Sequence, residues 1–210
     1  NEGVQFDAVV MNPPYSAKNW NRSELKVSDP RFADFGTLPP VSKGDFAFLL
    51  HGLFHLGING TMAIVLPHGV LFRGSVEGEI RKRLLEKGLI DTIIGLPSNL
   101  FTNTGIPVAI MILKKNRSLG DSVLVIDASR SFIKVGKQNV LEEKDIAKIV
   151  DTYSNRTEII GYSHLATREE IIENDYNMNI PRYVEVTNSE IPHDVDAHLF
   201  GGIPQKNIDA

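Results

Sequence analysis

Five short, nearly continuous apolar runs restrict the fold of this chain more than any other feature. They cover residues 6–11, 61–66, 90–96, 107–113 and 122–126. Runs of this length without polar alternation are typical of strands buried on both faces, and such strands belong mostly to parallel sheets covered by helices. The sequence therefore predicts an α/β fold with a mostly parallel sheet.

Helices are predicted between these strands. The apolar stretch 45–56 indicates a helix that ends at the glycine-containing turn 57–60. A second helix is predicted to begin with Ser75 as its N-cap and to end at Gly88. The stretch 105–115 is expected to close the sheet as an antiparallel edge.

The composition changes beyond about residue 128. Capping boxes predict two further helices over residues 141–153 and 168–173, and the paired residues are Asn139 with Glu142 and Thr167 with Glu170. The remaining stretches mix polar, aromatic and proline residues, which is typical of extended chain laid over another surface. We therefore place a boundary near residue 128.

The charge and hydrophobicity of the chain limit its partners. With 210 residues and 42% hydrophobic composition, it can bury a core. No apolar run approaches the roughly 20 residues that span a bilayer, and no signal peptide is evident, so we expect a cytoplasmic protein without a membrane partner. The net charge of −4 is unfavourable for binding nucleic acid without the help of another protein.

The sequence does not favour a metal site. It contains no cysteine, which excludes a disulfide framework and any thiolate ligand. His51 and His55 lie one turn apart on a predicted helix, but no third ligand accompanies them. We therefore predict that the chain binds no metal.

The tetrapeptide Asn12-Pro13-Pro14-Tyr15 directly follows the first predicted strand. Two adjacent prolines fit neither a strand interior nor a helix interior, so the tetrapeptide ends the strand, where ligands of open α/β sheets bind. The prolines stiffen the backbone, which fixes the Asn12 side-chain oxygen and the Pro13 carbonyl as two acceptors beside the Tyr15 ring. A stiff turn without a chemical role is the alternative.

Two neutral acceptors beside an aromatic face suit a flat ring that carries an exocyclic amine. Such an amine is a weak nucleophile because its lone pair is delocalised into the ring. When both of its N–H groups donate hydrogen bonds to acceptors, the nitrogen moves towards tetrahedral geometry. The amine can then attack an electrophilic methyl group without a general base. In duplex DNA the base must first be flipped out, and stacking on Tyr15 would offset this cost by about 1–3 kcal/mol.

Five segments, spread over nearly the whole chain, carry a resemblance to a known family: "FDAVVMNPPYS", "GDFAFLLH", "MAIVLPHGVLFRG", "IRKRLLEKGLIDTIIGLPSNLFTNTGIPVAIMILKK" and "EEIIENDYNMNIPRYVE". Within them, "LPSNLFTNTGIPVAI" and "NDYNMNIPRY" are the most specific. The chain resembles the modification (methyltransferase) subunit of type I restriction-modification systems. The resemblance implies S-adenosylmethionine as methyl donor and the 6-amino group of adenine in DNA as acceptor. It implies the C-terminal half of a Rossmann-like methyltransferase sheet, followed by a helical and extended tail. It also implies a specificity subunit, a restriction subunit and a second modification subunit as partners.

The resemblance assigns roles to individual positions near the tetrapeptide. Asn12 and Pro13 match the acceptors for the target amine, and Tyr15 matches the stacking ring. Phe101 matches the aromatic residue that covers the other face of the flipped base, and a core phenylalanine is the alternative for this position.

The family's cofactor site is matched only in part. Asp45 and Phe48 match the segment that lines the adenosine pocket, with core packing as the alternative for Phe48. The glycine-rich turn and the acidic residue that hold the rest of the cofactor would precede the first strand, and the chain opens on Asn1. We therefore expect residues 1–128 to be a partial catalytic domain, inactive alone, and residues 129–210 to be a subunit-contact region.

Two basic regions are candidates for contacts with DNA. Lys114, Lys115 and Arg117 follow a predicted strand and could contact the DNA backbone. The connection from residue 16 to residue 44 is long for a compact domain, and such connections are usually either functional or disordered. If functional, it is expected to contact the DNA strand or to clamp the flipped base. The residues suited to this role are Lys18, Trp20, Arg22 and Lys26.

Two other functions stay open. The chain could be an interaction fragment that docks on the specificity subunit through the helices after residue 139, without activity of its own. Alternatively, it could belong to the protein glutamine methyltransferases, which also carry the Asn-Pro-Pro-Tyr motif.

Overall fold

The computed structural model describes residues 3–102 and 104–184, and its centre is a six-stranded mixed sheet. In chain order the strands are β1 (Phe6–Met11), β2 (Leu56–Pro67), β3 (Ile90–Gly95), β4 (Val108–Lys114), β5 (Val123–Asp127), β6 (Ile133–Val135), β7 (Gln138–Val140) and β8 (Ser163–Ala166). The helices are α1 (Asp45–Phe54), α2 (Ser75–Glu86), α3 (Glu143–Asn155) and α4 (Arg168–Glu173). The large sheet has the order β1-β2-β4-β3-β5-β8, and β6 pairs with β7 in a separate hairpin.

Four of the six strands run in one direction. β1 is parallel to β2 and β3 is parallel to β5, whereas β4 is antiparallel to both of its neighbours and β8 is antiparallel to β5. The C-terminal ends of β1, β2, β3 and β5 therefore lie along one side, which we call the carboxyl end of the sheet. The predicted α/β fold with a mostly parallel sheet is confirmed.

The predicted antiparallel segment lies inside the sheet and not at its edge. β4 is antiparallel, as expected for residues 105–115, but it lies between β2 and β3. Its side chains explain this position, because Val108, Ala109, Met111 and Leu113 are at most 1% exposed, whereas an edge strand exposes part of its surface. The antiparallel edge is β8, which has only four residues and was not predicted.

The first helix ends earlier than predicted, and its expected turn belongs to a strand. α1 ends at Phe54 and β2 begins at Leu56, so residues 57–60 form an irregular part of β2 beside β1. A Cβ atom at Gly60 would lie 2.8 Å from the Phe6 carbonyl oxygen. Glycine is therefore needed here because β2 lies close to the backbone of β1, and not because a helix ends.

Two of the predicted helix caps are also wrong. α2 begins at Ser75 itself, and Gly74 is the N-cap residue. At α3 the capping box joins Glu142 to Asp145, because Asn139 lies in β7 and donates its side-chain amide to a loop carbonyl. At α4, Thr167 is the N-cap residue as predicted and accepts from the Glu170 N–H, whereas the Glu170 carboxylate contacts His164 and does not complete a capping box.

Helices cover both faces of the large sheet. α1, α2 and α4 contribute Phe46, Leu84 and Ile171 to the apolar cluster on one face. α3 lies on the other face, where Ile149 belongs to a second cluster with Tyr162. This two-sided burial explains why the strands appear in the sequence as continuous apolar runs.

The region beyond residue 128 contributes to the same sheet. β8 extends the sheet beside β5, and α3 packs on one face, so the predicted boundary falls between elements of a single sheet. Extended chain was predicted for residues 174–186 and 198–210. Residues 174–184 instead form turns and a short 3-10 helix (Ile180–Arg182), and Met178 and Tyr183 are buried in the larger apolar cluster. The remainder lies outside the described residues. Within residues 3–102 and 104–184, no helix combines the length and apolarity needed to cross a membrane.

Candidate active site

The predicted acceptor residues leave β1 at the carboxyl end of the sheet and form what we call the acceptor loop, residues 12–16. Asn12 is exposed, whereas Pro13 is buried. The Tyr15 hydroxyl donates a hydrogen bond to Asn12 Oδ1 over 2.9 Å. The predicted acceptor oxygen and the predicted stacking residue are therefore in direct contact.

Phe101 lies opposite Tyr15 at the same end of the sheet. It belongs to the loop between β3 and β4, and this loop emerges at the carboxyl end because the two strands are antiparallel neighbours. The two ring centroids are 6.4 Å apart with an interplanar angle of 61°, an edge-to-face arrangement. Both rings are half-buried against the second apolar cluster. The structure thus brings Asn12, Tyr15 and Phe101 together from distant parts of the chain.

Asp45 holds the last residue of the acceptor loop. It is the first residue of α1, and it is fully buried. Its Oδ1 accepts a hydrogen bond from the Ser16 backbone N–H over 2.7 Å. Ser16 has a φ of 51°, in the left-handed region that residues other than glycine rarely adopt, so this contact holds a strained residue in place.

The two residues predicted to line the cofactor pocket both lie on α1, but their surroundings differ. Both carboxylate oxygens of Asp45 have protein partners, since Oδ2 accepts from Arg73 Nη2 over 2.8 Å. Phe48 is half-buried and packs against the larger apolar cluster while part of its surface stays exposed. Phe48 is therefore the better placed of the two for contact with a ligand.

The long connection between residues 16 and 44 is folded on itself. Trp20 Nε1 donates to the Pro40 carbonyl over 3.0 Å, and Arg22 Nε donates to the Pro39 carbonyl over 2.7 Å. Two of the side chains that were candidates for DNA contact thus hold this connection together.

Two polar residues at the carboxyl end were not predicted as site residues. His68 follows β2, and its Nε2 lies 3.0 Å from the Val108 carbonyl oxygen. Because a carbonyl only accepts, Nε2 carries the hydrogen, and burial lowers the pKa of His68, which keeps the imidazole neutral at pH 7. Asp127 ends β5, and its Oδ1 accepts from the Ser129 N–H over 3.0 Å. Their position at the ends of predicted strands was the signal that could have identified them.

The basic residues predicted to contact DNA lie away from the acceptor loop. Lys114 pairs with Thr61, at the end of β4 opposite the carboxyl end of the sheet. Its ammonium group lies 3.5 Å from the buried Asp91 carboxylate, and Arg117 Nε lies 3.1 Å from the same group. The Arg117 side chain is only 6% exposed, and Lys115 donates to a backbone carbonyl of β2. The structure therefore does not bring these three residues together with the acceptor loop.

His51 on α1 packs against His55, the residue that follows the end of this helix. The ring centroids of His51 and His55 are 4.9 Å apart, and His55 Nδ1 lies 2.9 Å from the Val4 carbonyl oxygen. In the described part of the chain, no group of three or more His, Cys, Asp or Glu side chains is arranged to hold a metal ion.

Comparison with known proteins identifies the family. A family model described as N-6 DNA Methylase matches residues 1–191. The chain belongs to the N-6 DNA methylase family. This N-6 DNA methylase chain is 41% identical over 208 residues to the methylase subunit of type I restriction enzyme MpnII of Mycoplasma pneumoniae, a match that covers 97% of this chain and 38% of the relative. It is 32% identical over 222 residues to the MjaIX methylase subunit of Methanocaldococcus jannaschii, covering 98% and 40%.

A crystal structure supports the same relationship. The type I restriction-modification system methyltransferase subunit from Streptococcus thermophilus matches with a TM-score of 0.84 and 58% identity, covering 89% of this chain and 39% of that one. The predicted resemblance to type I modification subunits and the Rossmann-like α/β fold are confirmed. The chain spans about two-fifths of the length of the relatives it matches.

Proposed function

We propose that this chain is the part of a type I modification subunit that binds the target adenine, and that the subunit transfers a methyl group from S-adenosylmethionine to the 6-amino group of adenine in DNA. The observation that carries the proposal is the cluster of Asn12, Tyr15 and Phe101 at the carboxyl end of the sheet. Open α/β sheets bind their ligands at this end. Family membership and the similarity to methylase subunits support the same assignment.

The acceptor loop supplies the proposed chemistry. Asn12 Oδ1 and the Pro13 carbonyl each accept a hydrogen bond from the target amine. These two hydrogen bonds localise the nitrogen lone pair and direct it towards the methyl carbon. The flipped base stacks on Tyr15, and Phe101 covers its other face. Because Asn12 Oδ1 accepts from the Tyr15 hydroxyl in the structure, the target amine must share or replace that hydrogen bond.

S-adenosylmethionine fits this end of the sheet in part. When bound, it supplies the electrophilic methyl group. We propose that the exposed part of Phe48 contacts its adenosine moiety, whereas Asp45 acts indirectly because its oxygens bind Ser16 and Arg73. β1 is an edge strand of the described sheet, and Val10 on it is 85% exposed. We propose that this exposed strand adjoins the rest of the cofactor pocket in the complete subunit.

We propose that the region beyond residue 128 contacts other subunits. Exposed apolar residues in this region favour the interaction fragment as a second candidate function. Ile146 and Val150 lie one turn apart on α3 and are 49% and 52% exposed. Ile133 and Val135 in β6 are also exposed. Neighbouring exposed apolar residues of this kind mark protein interaction sites. We propose that the specificity subunit, the restriction subunit and a second modification subunit are the partners of the complex.

The proposed function is tested by identifying the methylated product. The full-length gene product that contains this sequence is assembled with its partner subunits and incubated with labelled S-adenosylmethionine and unmethylated duplex DNA. We expect label in N6-methyladenine after digestion to nucleosides, separated by liquid chromatography and mass spectrometry. Label in a glutamine-containing protein substrate with none in DNA would instead support glutamine methylation, and no label in either would support the interaction fragment.

Replacing Phe101 by alanine in the same complex tests the second ring. We expect the extruded base to lose about 1–3 kcal/mol of stabilisation in the methyl-transfer step, because one of its two stacking partners is removed. S-adenosylmethionine binding should stay unchanged. The measurement is single-turnover methylation, with Phe101→Tyr as the control that keeps a ring. A large fall in melting temperature for Phe101→Ala would support the alternative, a core-packing phenylalanine.

A further inference from the structure

Arg73 joins two buried carboxylates behind the acceptor loop. Its Nη2 donates to Asp45 Oδ2 over 2.8 Å and to Glu77 Oε1 over 3.0 Å, and its Nε forms an ion pair with Glu77 at 2.8 Å. Asp45 is 0% exposed and Glu77 is 3% exposed. Buried carboxylates are costly without a charged partner, and Arg73 is the arginine that contacts both of them here.

The same Asp45 carboxylate also binds the acceptor loop. While Oδ2 faces Arg73, Oδ1 accepts from the Ser16 N–H over 2.7 Å. Ser16 directly follows Tyr15, so a change in its position moves the ring and the hydroxyl that contacts Asn12. The orientation of one carboxylate is thereby coupled to the geometry of the predicted acceptor residues.

The backbone of Arg73 is itself held in place. The Arg81 guanidinium donates to the carbonyl oxygens of Arg73 and Val70 over 2.9 and 3.0 Å. Arg81 is buried, and it lies on α2. The backbone of Arg73 is therefore fixed, and its side chain can hold the Asp45 carboxylate in one orientation. Groups that support a reaction need this kind of rigid support.

We propose that Arg73 is a positioning residue for methyl transfer, acting through Asp45 and the Ser16 amide on Tyr15 and Asn12. The catalytic part of this inference rests on the proposed function, whereas the anchoring of the loop does not. Arginine contacts Asp45 through Nη2 and Glu77 through Nη2 and Nε of one planar guanidinium, whereas lysine offers one ammonium group without this planar geometry, so we expect Arg73→Lys to keep the charge and lose the paired arrangement.

The activity test uses Arg73→Lys in the full-length gene product within its assembled complex. We expect single-turnover methyl transfer to fall on the order of 10- to 100-fold, the size of effect that follows from a small displacement of reacting groups. Affinities for DNA and S-adenosylmethionine should change little, so the loss appears in the rate and not in KM. The control is Arg83→Lys, an exposed arginine on α2, which should behave as the wild type.

Hydrogen exchange tests the anchor without relying on activity. We expect the Ser16 amide, measured in peptides covering residues 12–20, to exchange at least about tenfold faster in Arg73→Lys, while peptides from β4 stay unchanged. Glu77→Gln keeps the Arg73–Asp45 contact and should give a smaller increase. If Arg73→Lys does not fold, Glu77→Gln carries the test, and its expected result is partly increased exchange with a partly reduced rate.

Two results would overturn the proposal. One is unchanged exchange at Ser16 in a folded Arg73→Lys protein. The other is faster exchange with a wild-type rate of methyl transfer. If the wild-type complex transfers no methyl group to adenine, the proposed function fails, and the exchange experiment still decides whether Arg73 holds the acceptor loop.

Discussion

Replacing Asn12 by alanine in the assembled complex is expected to abolish nearly all methyl transfer while DNA binding and S-adenosylmethionine binding persist. The side-chain oxygen interacts most strongly as the amine nitrogen becomes tetrahedral, so its removal raises the barrier more than it weakens ground-state binding. Loss of one such preorganised polar group costs about 100- to 1000-fold in rate. Asn12→Asp should retain more activity than Asn12→Ala, because a carboxylate still accepts a hydrogen bond.

The measurement is single-turnover methylation of unmethylated and hemimethylated duplexes, alongside a fluorescence titration of DNA binding. Asn12 is exposed, so we expect the alanine variant to fold normally, and a melting curve provides the control. Wild-type turnover by Asn12→Ala would remove the acceptor loop from the chemistry. The Asn-Pro-Pro-Tyr segment would then be a stiff turn at the end of β1.

Tyr15 separates the contribution of a ring from that of a hydroxyl. Tyr15→Ala should lower the rate of methyl transfer by about 5- to 150-fold, the equivalent of 1–3 kcal/mol of lost base stacking. Tyr15→Phe should have a mild effect, because the ring remains. The phenylalanine variant also removes the hydrogen bond to Asn12 Oδ1, which leaves this acceptor open to the target amine.

Base flipping provides the second measurement for Tyr15. A duplex with 2-aminopurine beside the target adenine should be less fluorescent with Tyr15→Ala than with the wild type, because the target base is extruded less often and continues to quench its neighbour by stacking. The wild-type signal should persist with Tyr15→Phe. Equal losses in both variants would show that the hydroxyl, through its contact with Asn12, matters more than the ring.

The local pattern of residues determined most elements of this protein. β1 and α4 have the predicted bounds, residues 6–11 and 168–173. The first is a short apolar run closed by two prolines, and the second begins at a cap formed by residues near in sequence. Such signals act over a few residues, so they can be interpreted without knowledge of the fold. The position of the acceptor loop at a strand end was predictable for the same reason.

Strand order was decided by contacts between distant segments. The apolar pattern of β4 identifies a buried strand, but it does not say which neighbours bury it. Pairing with β2 and β3 places this strand inside the sheet, and the short β8 forms the edge. The glycines of residues 57–60 resemble a turn in sequence, and only the approach of β1 shows that they serve strand pairing.

The composition of the candidate site was likewise a tertiary result. Tyr15 and Phe101 meet because β1 and the loop between β3 and β4 end on the same side of the sheet. Asp45 was predicted to line the cofactor pocket, and the sequence did not show that its two oxygens accept from Ser16 and Arg73. A sequence shows which groups can accept or donate a hydrogen bond. Which partner each group contacts depends on packing. A buried charged group without a partner is costly in free energy, so it pairs with the polar groups that the fold brings next to it.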